Sequence, residues 1–255
     1  MAMTIKNDQE LSRMGEAGQV VALVHANIES AIAPGVSTAE LDTIARDILH
    51  DSGAVSSFLG YHGFPAHICA SINDEIVHGI PGSRKLRDGD IVSIDIGAIL
   101  NGYHGDSAWT YPVGQISEDA TLLLRDTEAA LDRAIAAAKS GHRLGAVGHA
   151  VQTYARLRGR GVVRDYGGHG IGRQMHEDPH VPNVGTPDRG VLLRTGLTLA
   201  IEPMLTAGGE DTRILADGWT VVTADGAIAA HFEHTVAVSP EWGQVLTRRL
   251  APVLE

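Results

Sequence analysis

The sequence predicts an α/β (α+β) domain, an antiparallel sheet with helices packed outside it. Three observations carry this. Four stretches repeat apolar residues every three or four positions, the period of a helix with one buried face. Two β-type runs, "DIVSIDIGAIL" and "YHGDSAWTYPV", are joined by Asn101-Gly102, the dipeptide favoured in two-residue hairpin turns. No Gly/Ser-rich or Pro-rich linker divides the chain, and 255 residues suit one domain over residues 1–255.

The elements follow in order. Residues 8–33 place Leu11, Met14, Ala17, Val21, Val24 and Ile28 on one helical face, and Pro34-Gly35 ends it. Ser37 or Thr38 caps a second helix that runs to Gly53. A third, over 118–139, has acids in its first turn, basic residues later and Gly141 beyond it. A fourth spans 143–158. "GWTVVTADGAIAAHFEHTVAVS" reads as a second hairpin turning at Asp225-Gly226. A helix, then "YHG", then "DGDIVSID" is echoed by a later helix, then "YGGHG", then "TGLTLAIE". That faint echo implies two pseudo-equivalent halves and puts Asp95 and Glu202 at matching strand ends.

Composition narrows the function. A net charge of -11 disfavours a nucleic-acid surface. Cys69 is the single cysteine, so neither a disulfide nor a cysteine zinc site forms within the chain, which fits the reducing cytoplasm. The N-terminus lacks a signal pattern, and no apolar run approaches the ~20 residues of a membrane span.

The chemistry lies in the carboxylates. A two-residue turn at Asn101-Gly102 sets Leu100 against Tyr103 and Gly97 against Asp106. Asp95, Gly97 and Asp106 then share one face, the two acids ~7–8 Å apart on a diagonal, with the missing side chain of Gly97 leaving room between them. Such a face could simply meet solvent, but Asp95 is flanked by apolar residues on both sides. Buried paired acids need cations. Glu202 ends the apolar run "TGLTLAIE", and Pro203 closes it. Within "IAAHFEHTVAV", alternation sends Phe232, Val236 and Val238 one way and His231, Glu233 and Thr235 the other. "GGHGIGRQMHEDPH" is too glycine-rich for a good helix, so His169 and His176 sit on extended or turning backbone and need not share a role. Four carboxylates and one histidine suit Mn, Fe, Co or Zn, and a charge of -4 matches two divalent ions. A two-metal centre activates a water and holds the oxyanion of amide or ester hydrolysis.

In order and spacing, "YHGFPAHICASINDEIVHGIP", "DGDIVSIDIG", "GYHGDSAWTY", "GGHGIGRQMHEDP", "LAIEPM", "DGWTVVT" and "FEHTV" resemble the bacterial type I methionine aminopeptidases, from Ile5 to Ser239. The resemblance implies the pita-bread fold, with pseudo-two-fold halves, and removal of the initiator methionine when the second residue is small. It implies Asp95, Asp106, His169, Glu202 and Glu233 as ligands of two divalent metals. Glu202 would also move a proton, His78 would meet the scissile amide, and His176 the substrate carbonyl. Phe58, Tyr61, Phe64, Cys69, Met175 and Trp219 would line the methionine pocket; Phe58, Phe64 and Met175 depart from the family's commoner cysteine, tyrosine and phenylalanine. Backbone near Asn73, Glu75 and Ala229 would hold a monovalent cation. His62, His104, His180 and His234 lie near these motifs and are taken as structural or as supporting the ligands from behind.

The implied partners are N-termini of nascent polypeptides at or near the ribosome, with no direct nucleic acid, no membrane and a monomeric, cytoplasmic enzyme. Ala2 makes the chain's own "MA" start a substrate. Two rivals remain: an Xaa-Pro aminopeptidase or prolidase, which shares the five ligands, and a non-catalytic binding relative, which would have lost some.

Overall fold

The computed structural model describes residues 3–249. The "MA" start and residues 250–255 lie outside them. The first half holds α1 (Asp8–Ala31), α2 (Thr38–Asp51), β1 (Val55–Ser56), β2 (Ile68–Ile72), β3 (Glu75–Val77), β4 (Ile91–Leu100) and β5 (Tyr103–Pro112). Capping boxes open both helices: Asn7 with Glu10, and Ser37 with Glu40, each satisfying backbone donors that a helix start leaves free. α1 stops at Ala31, short of the expected 33: Ile32 is already extended, and Pro34 bars helical backbone at Ala33 just after it.

β4 is the centre of the first sheet, with β5 along one edge and β1 and β2 along the other. The expected hairpin register holds: Leu100 pairs with Tyr103, Gly97 with Asp106 and Asp95 with Ala108. The room expected at Gly97 is filled from another direction. A Cβ there would lie 2.7 Å from Ser57 and 2.9 Å from Phe58, so the bare backbone admits the 57–58 segment instead. Val21, Val24, Ile28 and Leu41 from the helices bury against Ile94 and Ile96 of β4.

The second half adds α3 (Glu118–Ala137), α4 (Gly145–Leu157), β6 (Gly161–Val162), β7 (Gly167–Gly170), β8 (Glu177–Pro182), β9 (Thr198–Ile201) and β10 (Met204–Thr206). Five further strands follow: β11 (Thr212–Ile214), β12 (Val221–Thr223), β13 (Ala229–His231), β14 (His234–Val238) and β15 (Gly243–Val245). The main sheet runs β15-β14-β9-β7-β8. Leu123, Leu131 and Val151 of α3 and α4 bury with Leu199, Phe232 and Val236 in a second core. Two helices thus cover each half, as the faint sequence echo implied.

The hairpin expected at Asp225-Gly226 does not form. β12 pairs with β11 and β3, whereas β13 pairs with β10. Donors on both sides are already committed: Thr223 N–H goes to Asp74 O and Ala229 N–H to Asn73 O. The Asp225 carboxylate holds the turn by accepting from Gly209 and Ala227 N–H, at 2.7 and 3.0 Å. The strand expected through Glu233 also breaks, into β13 and β14. The expected faces survive, for Phe232 turns into the second core and packs edge-on with Trp109, ring centres 4.6 Å apart.

β5 meets this broken strand along a seam of hydroxyl groups. Asp106 N–H donates to Thr235 Oγ1, and Thr235 Oγ1 donates back to Asp106 O, both at 2.9 Å. Ser107 Oγ donates to Glu233 O at 2.6 Å, and Thr110 Oγ1 to His231 O at 2.8 Å. Glu233 N–H closes on Ala108 O at 2.8 Å. The two halves are therefore fastened at the residues that bear the acids. Thr235→Val keeps the shape but strands a buried N–H and C=O on Asp106. It should cost about 3 kcal/mol, read as a shifted denaturant midpoint.

Candidate active site

A cavity of about 540 Å³ opens where the halves meet, and all thirteen residues singled out from the sequence line it. Its floor is ionisable. Asp95 comes from β4 and Asp106 from β5, Glu202 follows β9, and Glu233 fills the break between β13 and β14. His169 sits in β7, opposite Ala200 and His180. Gly168 beside it has no alternative, because a Cβ there would lie 2.1 Å from Ala200 O.

Ligand-type atoms of Asp106, His169 and Glu233 all lie within 4.8 Å of one another. His169 Nε2 is 3.7 Å from Asp106 Oδ2 and 4.0 Å from Glu202 Oε1. Its Nδ1 bonds Gly170 O at 2.8 Å, which frees Nε2 to face the acids. Asp95 Oδ1, Asp106 Oδ1 and Glu233 Oε1 are buried without any hydrogen-bond partner. Orphaned acceptors of this kind fit a bound cation and are costly otherwise.

Protonation in the metal-free chain follows from the crowding. Burial, then neighbouring acids, push Asp106 and Glu233 well above the carboxylate range. Burial lifts Asp95 to about 7 despite His231. Burial alone would raise Glu202 too, but His231, His169 and His78 outweigh it and hold this acid below its ordinary value. His231 Nε2 stands 3.4 Å from Glu202 Oε2, too poorly aligned for a full hydrogen bond and with no other partner.

One wall is apolar. Phe58, Phe64, Cys69 and Met175 form a single buried cluster with Tyr61 and Trp219 packed on it. Phe64 meets Trp219 edge-on at 5.1 Å. The other two histidines stand at the boundary between wall and floor. His176 lies 4.1 Å from His169 ring to ring, and its Nδ1 is 2.8 Å from Tyr61 Oη. Burial and the neighbouring His169 bring it down to about 4. His78 has a left-handed φ of 61° and packs edge-on against Tyr166 and Trp219.

Six cavity residues had no place in the sequence-based site: His62, Val77, Asp165, Tyr166, Gly167 and His180. His180 had been set aside, yet it is the cross-strand partner of His169. His231, which stands beside Glu202, shares a face with Glu233 by the sequence alternation, but that pattern gives it no role of its own. His104 is structural as expected, bonded to Ser57 Oγ at 2.9 Å, and His234 bonds Thr247 at 3.0 Å. At the expected monovalent-cation loop, Asn73 O accepts from Ala229 N–H, and the Glu75 carboxylate is held by Ile72 N–H and Arg84.

A buried acid cluster and an apolar wall in one cleft between two helix-covered half-domains define a metal-dependent hydrolase of the pita-bread fold. Residues 12–240 match metallopeptidase family M24, and the chain belongs to that family. It is 54% identical over 243 residues to methionine aminopeptidase 1 of Bacillus subtilis (strain 168), covering 95% of this chain and 98% of that protein. The crystal structure of methionine aminopeptidase from Thermotoga maritima superposes with a TM-score of 0.95 at 42% identity, covering 97% of this chain and all of that one. An Xaa-Pro dipeptidase from Bacillus anthracis shares the fold alone, with a TM-score of 0.77 at 24% identity over 98% of this chain and 63% of that one.

The raised acids have a clear pH consequence. A carboxyl whose folded pKa exceeds its unfolded value favours the fold below pH ~4 and loses that contribution as pH rises, for Asp95 through about 7. A divalent ion must displace these protons. Metal-induced thermal stabilisation should therefore grow from pH 5 to 7.5, and calorimetric titration in buffers of different ionisation enthalpy should register proton release.

Proposed function

We propose that the chain is a methionine aminopeptidase that removes the initiator methionine from nascent proteins when the second residue is small. The observation that carries this reading is an aromatic and thioether wall that lines the same cavity as a buried acid cluster. The relatives' names agree with it. A thioether chain is soft and packs well on Phe58, Phe64, Trp219 and Met175. Asp95, Asp106, His169, Glu202 and Glu233 would hold two divalent ions of the Co, Mn, Fe or Zn kind. Bound there, such ions supply a nucleophilic water near neutral pH and Lewis-acid support for the developing oxyanion.

The chain's own groups do the rest. The apolar wall seats the methionine side chain and excludes water. His176, neutral near pH 7, donates from Nε2 to the carbonyl oxygen in the tautomer whose Nδ1 accepts from the Tyr61 hydroxyl 2.8 Å away. His78 orients the scissile nitrogen. Glu202, held below its ordinary value by its histidine neighbours, takes a proton from the attacking water and passes it to the leaving amine as the amide C–N bond breaks. A monovalent cation would sit on backbone near Asn73 and Ala229, beside Glu75. Substrates of this kind arise at the ribosome in the cytoplasm, and the enzyme would act on them as a monomer, without contacting nucleic acid or membrane.

Mn-loaded protein should hydrolyse Met-Ala-Ser and leave Ala-Pro peptides largely intact; preference for the proline substrate would sink the reading. Asp106→Asn should lose activity and metal affinity while the fold survives. His176→Ala should lower kcat about 10²–10³-fold, as removal of an oxyanion donor does, measured by peptide hydrolysis at saturating metal.

A further inference from the structure

We propose that Glu177, gripped by Lys6 and Thr4 of the N-terminal segment, is a positioning residue that fixes His176 for catalysis; this rests on the aminopeptidase reading above. The clamp borders a second cavity of about 370 Å³, lined by Thr4, Lys6, Glu10, Tyr103, Arg173 and Glu177 among others and separate from the active-site cleft.

Glu177 uses both oxygens. Oε2 accepts from Lys6 Nζ at 2.7 Å and from Thr4 Oγ1 at 2.6 Å. Oε1 accepts from the backbone N–H of Arg173 at 2.9 Å and of Gln174 at 3.4 Å. The ion pair is shut away from water, with the Lys6 side chain 4% exposed and that of Glu177 7%. The segment between β7 and β8 has no regular structure, and it carries Met175 and His176. Its start is tied down, since Ile171 N–H meets Thr198 O and Gly172 O accepts from His104 N–H. Beyond that, Gly172 N–H reaches Gln174 O, and the Glu177 carboxylate supplies the other bonds to the turn. Lys6 fits closely behind it: a Cβ on Gly172 would meet Lys6 Cε at 2.5 Å and Glu177 Oε1 at 2.6 Å.

The charge matters for this task. A buried ion pair is rarely worth more to stability than well-packed apolar residues of the same size. Only an acceptor with two oxygens can bind the backbone of the turn and the N-terminal segment together. His176 immediately precedes Glu177, so its backbone lies between the turn that the carboxylate holds and the start of β8, while its ring is set by Tyr61. Misplacing a catalytic donor by about 1 Å costs up to about 100-fold in rate.

The test uses the Mn-loaded full-length chain with Met-Ala-Ser. Lys6→Met and Glu177→Gln should each lower kcat at least about tenfold with a much smaller change in KM. The double variant should be no slower than the slower single one, and Lys6→Arg should recover most of the rate. Mn affinity by calorimetric titration should stay within about twofold of wild type, because His169 is held by β7 and β9. Variants that lose thermal stability but keep wild-type kcat would overturn the proposal, as would losses that multiply in the double variant. The ¹⁵N-imidazole spectrum reads the clamp without turnover: the His176 signals should move in Lys6→Met, and unmoved signals would again overturn it. Wild-type protein that fails to cleave Met-Ala-Ser would count against the aminopeptidase reading, and the spectrum would still decide the clamp.

Discussion

Four carboxylates in a dry centre repel one another, and the arrangement of the molecule answers to that repulsion. Each half contributes two of them: Asp95 and Asp106 from one hairpin, Glu202 and Glu233 from strand ends in the other half. Three leave a buried oxygen with no partner, an expense that a folded protein bears only where something else completes the site. A bound divalent cation would complete it, and the deprotonated acids would then change from a liability into ligands. The hydroxyl seam along β5 makes this possible, because it satisfies the backbone of Asp106 and Glu233 without using their side chains.

Chemistry and selectivity occupy different surfaces of one cleft. The acids and His169 form the floor, and an aromatic and thioether wall stands beside them. His176 belongs to both, touching His169 on one side and Tyr61 on the other. On the proposed reading, a side chain seated against the wall would present its own carbonyl to the floor.

Much of this was legible in the sequence, for reasons that are local. Asn101-Gly102 dictated a two-residue turn, and from that alone the diagonal of Asp95 and Asp106 followed. Helix limits followed from caps and from Pro34. The thirteen site residues emerged from short motifs and the resemblance they support, and one cavity gathers them all. What stayed hidden was non-local. Asp225-Gly226 has the chemistry of a hairpin turn, but its flanking strands found better partners elsewhere, which no short window reveals. The break at Glu233 was masked because alternation continues across it. Alternation put His231 on the face of Glu233, but its approach to Glu202, like the places of Asp165 and Tyr166 in the cavity, depends on neighbours distant in sequence.

The hairpin that bears Asp95 and Asp106 has a consequence in time. Its two strands are adjacent in the chain, so the first pair of acids comes together through a short loop closure, early and at little entropic expense. Glu202 and Glu233 join that pair only through contacts distant in sequence, across the seam between β5 and the β13–β14 segment. Gathering four acids in a dry centre works against the docking of the two halves, through repulsion where they are ionised and through the protons they take up where they are not. A divalent ion bound between them would offset that opposition and so fasten the halves to each other as well as supply the chemistry.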